Sequence, residues 1–201
     1  MGENSLERKL EDAVWAAHSL FERGKTSGSS ANMSFLHEGK IYISRSGSCF
    51  GRLSKEDFVA LAPDSSLSGR GTPSKELPLH QLYYTKDAEI QAVIHTHGPY
   101  AVLWSCRETE QTEDVIPHYT PYLRMKVGQV ALVPYAKPGS QALFDAFAAS
   151  LPRGEAFLLK NHGAIVGGRS IMEAFYKLEE LEESARIACL IQGLGPCVRI
   201  E

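Results

Sequence analysis

The spacing of apolar residues predicts where the chain forms helices. At residues 6–21 the apolar side chains recur at helical spacing, which predicts an opening amphipathic helix, with Asn4 and Glu7 placed as a capping box. Gly24 ends this helix, and the Gly-, Ser- and Thr-rich residues 24–30 predict a loop with exposed backbone amides. Further helices are predicted at residues 54–61, 74–84, 99–106, 141–149 and 170–192.

Shorter apolar runs between the helices predict strands. Residues 32–37 and 40–44 flank Glu38-Gly39, a pattern typical of a hairpin. Other strands are predicted at 89–97, 129–135, 155–161 and 163–167, with polar loops at 63–73 and 107–121. Helices and strands mix without strict alternation, so the predicted fold class is α/β in the broad sense, a largely antiparallel sheet covered by helices. The length of 201 residues and the hydrophobic content of 43% predict one domain over residues 1–201.

Composition argues against several classes of partner. The 21 basic and 24 acidic residues give no excess charge that would indicate nucleic acid or an anionic membrane as the main partner. The first residues lack the apolar stretch of a secretory signal, and the sequence has no apolar run of about 18 residues. The four cysteines lie far apart without a CxxC pair. We therefore expect a cytoplasmic protein with reduced thiols.

A pair of histidines indicates a metal site. His95 and His97 fall in a predicted strand, where alternation points both side chains the same way. Catalytic zinc usually has three protein ligands and one open position, and His162 follows another apolar strand as a candidate third ligand. Spacing alone does not bring His162 to the pair, and two half-buried histidines bonded to backbone would give the same pattern. The other histidines are more typical of structural or exposed positions, and we assign no metal role to His18, His37, His80 or His118.

A candidate anion site precedes the helix predicted to begin near Ser74. Backbone amides and the positive end of the helix dipole favour an anion there, and Ser74 and Lys75 add donors beside Glu76. Ordinary capping by Ser74 is the alternative interpretation. Two further polar loops, at residues 29–32 and 44–47, could join the same site.

Five motifs in this order resemble the class II aldolase/adducin family along nearly the whole chain. They are NMS (32–34), ISRSG (43–47), PSKE (73–76), HTH (95–97) and NHG (161–163). The resemblance implies a class II aldolase-like fold and one divalent ion per subunit, Zn²⁺ or alternatively Mn²⁺ or Co²⁺. The implied metal ligands are Glu76, His95, His97 and His162. The implied phosphate-binding residues are Asn32, Ser46, Gly47, Ser74 and Lys75, where Ser46 and Lys75 replace a threonine and a serine of the fuculose phosphate aldolase branch. Glu76 and Tyr119 are the implied proton-transfer residues, and we expect burial to raise the proton affinity of Glu76.

Residues 117–128, 46–48 and 51–53 look most like the 3-oxo-tetronate 4-phosphate decarboxylase subgroup. This implies release of carbon dioxide from a small phosphorylated sugar acid to give dihydroxyacetone phosphate, through an enediolate that the metal stabilises. The alternatives are a fuculose 1-phosphate type aldolase, a pentulose phosphate 4-epimerase, a thioribulose phosphate dehydratase and a non-enzymatic adducin-like scaffold. The complete set of candidate metal ligands favours an enzyme over a scaffold. The resemblance also implies a homotetramer with active sites at subunit contacts.

Overall fold

The computed structural model describes residues 5–64 and 66–200 and places eight strands of this part of the chain in one sheet. In chain order the strands are β1 (Asn32–His37), β2 (Lys40–Ser44), β3 (Phe58–Leu61), β4 (Leu67–Ser68), β5 (Ala92–Thr96), β6 (Val130–Val133), β7 (Ala156–Leu159) and β8 (Gly163–Gly168). Their order in the sheet is β4-β3-β2-β1-β5-β8-β7-β6. Every neighbouring pair is antiparallel except β6 and β7. The predicted α/β fold with a largely antiparallel sheet is therefore confirmed.

Helices cover both faces of this sheet. They are α1 (Leu6–Glu22), α2 (Leu77–Lys86), α3 (Pro99–Ser105), α4 (Gln141–Ser150) and α5 (Ile171–Ile191). One apolar core lies between the sheet and α1, α3 and α5, and a second lies between the sheet and α2 and α4. Within the described residues, no helix combines the length and the apolar character needed to cross a membrane.

The alternation of side chains in β5 assigns its residues to the two cores. Ala92 and Ile94 belong to the first core, whereas Val93 belongs to the second, on the α2 side. Burying a side chain of the size of Val93 or Ile94 contributes roughly 1.5–3 kcal/mol. A shift of register by one residue would expose these side chains, so the register of the central strands is strongly specified. His95 continues the alternation and lies on the same face as Val93. The α2 side of the sheet is therefore the side on which a site at His95 must form.

The helix predicted at residues 54–61 is wrong. A 3₁₀ turn spans Lys55–Asp57, and β3 follows it directly. Residues 58–61 all pair with β2, from Ser44 opposite Phe58 to Ile41 opposite Leu61. Pairing with a neighbouring strand outweighs weak local helix propensity. The loop predicted at 63–73 contains the short strand β4, for the same reason.

The predicted start of the second helix is also wrong. The helix begins at Leu77 with Glu76 as its N-cap, and Pro78 lies in its first turn. Residues 73 and 74 are instead held against the end of β2, because Arg45 forms a β-bridge with Pro73 and Ser74 N donates to Ser44 O at 3.3 Å. The N-terminus of the helix therefore lies beyond Ser74.

Smaller differences affect the ends of other elements. The predicted cap Asn4 lies outside the described residues, and Ser5 caps α1 by accepting a hydrogen bond from Arg8 N at 3.2 Å. β5, β6 and β7 are each shorter than the strands predicted at 89–97, 129–135 and 155–161. A π-helical turn at Leu123–Val127 was not predicted.

Candidate active site

The pairing of β5 with β8 brings three histidines together. His95 lies in β5, His97 follows it, and His162 lies in the turn that joins β7 to β8. Thr96 pairs with Ala164, so the end of β5 lies beside the start of β8. One ligand nitrogen from each imidazole lies within 4.8 Å of the others. This cluster combines the two histidines on a predicted strand with the third that spacing alone could not place.

The turn that presents His162 depends on unusual backbone positions. Asn161 has a φ of 55°, a left-handed conformation that asparagine adopts more readily than most residues. At Gly163 a side chain would clash with the Thr96 carbonyl and lie 2.9 Å from Cδ2 of His97. The close approach of the β7–β8 turn to His95 and His97 therefore requires glycine at this position.

Glu76 completes the cluster from the N-terminus of α2. Its side chain is buried; Oε2 lies 3.4 Å from Nε2 of His95, and Oε1 lies 3.4 Å from Nε2 of His162. Asn32 donates a hydrogen bond from Nδ2 to Oε2 at 2.9 Å. The two carboxylate oxygens therefore reach different histidines, and one of them is fixed by Asn32.

The arrangement of hydrogen bonds around the imidazoles fits a metal ion. His95 donates from Nδ1 to the Ala164 carbonyl at 2.9 Å, which leaves its Nε2 free as a ligand, 3.0 Å from Nε2 of His97. Both ring nitrogens of the buried His162 lack a hydrogen-bond partner among the described residues. A buried nitrogen without a partner is costly, and a cation at the cluster would satisfy it. Three imidazoles and a carboxylate are a donor set suited to zinc and related divalent ions.

Burial controls the protonation of these groups. Desolvation, followed by the charge of the neighbouring histidine, lowers the pKa of His97 and of His162 to about 4, and burial also lowers the pKa of His95. The imidazoles are thus neutral near pH 7, as metal ligands must be. Burial raises the pKa of Glu76. At acidic pH, where His95 and His162 become protonated, their positive charge and the Asn32 hydrogen bond outweigh burial, so the pKa of Glu76 lies below its ordinary value. We expected burial to raise the proton affinity of Glu76. This expectation is wrong, because the combined effect of its neighbours lowers the pKa.

A polar cavity of about 430 Å³ opens beside the cluster. Its lining includes Glu76, His97 and His162. It also includes all the residues expected to bind phosphate, namely Asn32, Ser46, Gly47, Ser74 and Lys75. Residues 27–31 complete one wall, as the predicted loop with exposed amides allows. The site thus joins candidate metal ligands and candidate anion-binding groups in one space.

Tyr119 is not brought to this cavity. It is absent from the described residues that line the cavity, and it packs against the core on the other face of the sheet. The guanidinium carbon of Arg199 lies 5.9 Å from the centre of its ring. A single subunit, as described, does not place the Tyr119 hydroxyl beside Glu76.

Two residues at the site had no role in the sequence-based prediction. Arg45 lines the cavity and forms an ion pair with Asp57, from Nε to Oδ1 at 2.5 Å. His80 is fully buried and contacts Oδ1 of Asn32 through Nε2 at 2.6 Å. The available signal for His80 was its position four residues after Glu76, which places both on one side of a helical turn.

Three imidazoles and a carboxylate lie beside a polar cavity, near the ends of the central strands β5 and β8. This arrangement is typical of the active site of a metal-dependent enzyme. The family model described as Class II Aldolase and Adducin N-terminal domain matches residues 11–189, and the chain belongs to this family.

Similar proteins of this family include decarboxylases and aldolases. The chain is 36% identical to 3-oxo-tetronate 4-phosphate decarboxylase of Pectobacterium atrosepticum, covering 94% of this chain and 87% of the relative. It is 30% identical to L-fuculose phosphate aldolase of Methanococcus maripaludis, covering 92% of this chain and 98% of the relative. The fold matches the crystal structure of YgbL from Escherichia coli with a TM-score of 0.89 at 33% identity, covering 95% of this chain and 92% of that chain.

Proposed function

We propose that the protein is a metal-dependent carboxy-lyase that converts 3-oxo-tetronate 4-phosphate to dihydroxyacetone phosphate and carbon dioxide. The observation that carries the proposal is the single cavity that joins the histidine cluster and Glu76 with the anion-binding loops. The decarboxylase relative, similar over most of both chains, supports this choice of reaction.

The substrate is a β-keto acid, which determines what the site must stabilise. When the bond to the carboxylate breaks, its electron pair moves toward the ketone, carbon dioxide leaves, and negative charge develops on the former carbonyl oxygen. A divalent ion held by His95, His97, His162 and Glu76 would supply Lewis-acid stabilisation of that charge. The reaction consumes one proton, which must reach the carbon that lost carbon dioxide.

Glu76 is the side chain proposed to deliver this proton. Its pKa lies below the ordinary value, so the carboxylate is ionised in the free site. It must first accept a proton from water, which the open cavity admits, and then transfer it to carbon. The contact from Asn32 Nδ2 keeps Oε2 oriented throughout.

The phosphate group is proposed to bind to the hydroxyl, amide and ammonium donors that line the same cavity. Ser46 and Ser74 offer hydroxyl donors, Gly47 and the loop at 27–31 offer backbone amides, and Lys75 offers a charge. Lysine is an effective point-charge partner for phosphate. These groups would hold the substrate so that its ketone lies toward the histidines.

We further propose Zn²⁺ as the ion, with Mn²⁺ and Co²⁺ as alternatives, because imidazole donors suit all three. The working form is proposed to be a cytoplasmic homotetramer. Tyr119 is absent from the described residues that line the cavity of its own subunit. In the tetramer it would act as a second acid in the active site of a neighbouring subunit. Light scattering of the purified protein tests the assembly, and a monomer that retains full activity would contradict it.

An aldolase of the fuculose 1-phosphate type is the second candidate. The similarity to the Methanococcus maripaludis aldolase favours it over a pentulose phosphate 4-epimerase or a dehydratase. Aldol cleavage places negative charge on the same oxygen, so the same site suits either reaction. An adducin-like scaffold would not require the complete donor set.

The decisive experiment compares two substrates with one enzyme. Zinc-loaded protein is incubated with 3-oxo-tetronate 4-phosphate and, in parallel, with fuculose 1-phosphate, and dihydroxyacetone phosphate and carbon dioxide are measured. We expect rapid, metal-dependent release of both products from the first substrate. Cleavage of the second substrate alone would favour the aldolase, and no turnover of either by fully metallated protein would contradict both proposals.

A further inference from the structure

A buried row of polar side chains leads from α2 to the candidate metal centre. The hydroxyls of Tyr84 and Ser34 lie 2.7 Å apart, and Ser34 Oγ lies 2.7 Å from Nδ1 of His80. Nε2 of His80 lies 2.6 Å from Oδ1 of Asn32, whose Nδ2 lies 2.9 Å from Oε2 of Glu76. Ser34, His80, Asn32 and Glu76 are all buried, and of these four Ser34 and His80 lie outside the cavity lining, so water does not compete for the contact between them.

The chemistry of Glu76 determines the direction of the contacts nearest to it. An ionised carboxylate only accepts hydrogen bonds, so Asn32 must present its Nδ2 group to Oε2. The Oδ1 atom of Asn32 then faces His80 and can only accept. His80 must therefore carry a hydrogen on Nε2.

The protonation state of His80 also determines the direction of the hydrogen bonds that lead to Tyr84. Complete burial lowers the pKa of His80 to about 3, so the ring is neutral and its Nδ1 carries no hydrogen. Nδ1 accepts from the Ser34 hydroxyl, and Ser34 Oγ in turn accepts from Tyr84. Burial also raises the pKa of Tyr84, which keeps this terminal donor protonated. Every contact then has one donor and one acceptor.

We propose that His80 is a positioning residue for the metal centre: its Nε2–H holds the Asn32 amide in the orientation that directs a donor at Glu76. A reversed Asn32 amide would place Oδ1 against the carboxylate, and the two oxygens would repel each other. The inference rests on the proposed function for the role of Glu76 at the metal. The hydrogen bonds of the His80 ring reach Asn32 and Ser34, so His80 acts on Glu76 through Asn32; His80 is absent from the described residues that line the cavity.

Two substitutions of His80 separate positioning from packing. His80→Gln keeps a donor and an acceptor on neighbouring atoms, whereas His80→Phe keeps a ring and removes both. Groups that orient metal ligands typically change metal affinity or activity by about 10- to 100-fold. We expect His80→Phe to cause a loss of this size, measured as Zn²⁺ affinity in a chelator competition or as kcat. We also expect it to alter the absorption spectrum of the Co²⁺-substituted protein. His80→Gln should restore most of the affinity, the spectrum and the activity.

Controls address folding and the dependence on the proposed reaction. His18→Phe removes a partly buried histidine whose Nε2 lies 2.9 Å from the Leu53 carbonyl, and it should change neither affinity nor spectrum. If His80→Phe does not fold, Ser34→Ala removes the donor to Nδ1 together with the acceptor for Tyr84, keeps the Nε2 contact to Asn32, and should give a smaller change of the same kind. Equal effects of His80→Gln and His80→Phe, or none in either, would overturn the inference. Metal affinity and spectrum need no substrate, so failure of both substrates to react would contradict the proposed function and not the role of His80.

Discussion

Asn32 and His95 lie directly opposite each other on the paired strands β1 and β5. Oε2 of Glu76 lies between their side chains, 2.9 Å from Nδ2 of Asn32 and 3.4 Å from Nε2 of His95. Paired residues of an antiparallel ladder present their side chains on the same face. The sheet register thus fixes the spacing between the metal cluster and the group that orients the carboxylate.

Removal of His162 tests the metal centre most directly, because neither of its ring nitrogens has another partner among the described residues. We expect His162→Ala to lower Zn²⁺ affinity by at least about 100-fold, beyond the effect of groups that only orient ligands. Metal content after dialysis, measured by atomic emission, checks this. His118→Ala is the matched control, since His118 pairs with Asp114 away from the cluster. Full metal content in His162→Ala would contradict its assignment as a ligand.

Glu76→Gln separates proton transfer from metal binding. Glutamine keeps the size of the side chain and one oxygen, but it cannot carry the transferred proton. We expect kcat to fall by about 100- to 10,000-fold, the usual contribution of a general acid or base. Metal content must be determined in the same preparation, because Glu76 lies 3.4 Å from two histidine nitrogens. Near-normal kcat in fully metallated protein would exclude proton transfer by Glu76.

Local patterns predicted the pair of His95 and His97 but not the third member of the cluster. Alternation along a strand is a property of a few neighbouring residues, and it was enough to place His95 and His97 on one face. His162 joins them only because β8 pairs with β5, a contact between residues almost 70 positions apart. Spacing within the sequence does not contain that information, so the order of motifs shared with a family had to supply it.

The wrong predictions have the same origin in distant contacts. Helix α2 starts later than its local signals indicated because Ser44 and Arg45 hold residues 73 and 74 in extended backbone. Residues 58–61 form a strand because β2 provides a partner. The pKa of Glu76 moves opposite to the direction expected from burial alone, because three histidines and Asn32 surround the carboxylate. None of these distant contacts can be inferred from the neighbours in sequence of the residues concerned.

Lys75 provides a test of the phosphate-binding wall. We expect Lys75→Ala to raise KM for the phosphorylated substrate by about 10- to 100-fold, since a hydrogen bond to a charged group contributes about 1.5–3 kcal/mol. Lys40→Ala, an exposed lysine at the start of β2, is the control and should leave KM unchanged. An equal loss with the substrate lacking phosphate would show that Lys75 acts on another group.

The buried imidazoles predict how the stability of the metal-free protein depends on pH. The pKa is lowered from an ordinary value of 6.5 to about 3 for His80 and to about 4 for His97 and His162. The unfolded chain therefore binds more protons than the folded chain as the pH falls below about 6.5, and the free energy of unfolding decreases. We expect Tm of EDTA-treated protein to fall between about pH 7 and about pH 5.

The control for this pH dependence is His80→Gln. It removes one titrating group, so Tm should fall less steeply as the pH is lowered. Added Zn²⁺ binds the folded state and should raise Tm most where the imidazoles are neutral. A Tm that stays constant over this range in the metal-free wild type would contradict the lowered pKa values.

Gly163 tests whether the close approach of the β7–β8 turn holds the histidines in place. In Gly163→Ala the new methyl group would meet the Thr96 carbonyl and lie 2.9 Å from Cδ2 of His97 and 3.2 Å from Cε1 of His95. Overpacking of this kind typically costs about 1–3 kcal/mol, which for a domain of this size lowers Tm by roughly 2–12 °C. We expect the methyl group to displace both rings as well as the Thr96 carbonyl, so Zn²⁺ affinity should fall together with Tm. Gly193→Ala is the matched control, because its nearest contact, the Leu190 carbonyl at 3.8 Å, is an ordinary one. Loss of stability with unchanged metal affinity would mean that the sheet, and not the position of the two histidines, absorbs the added methyl group.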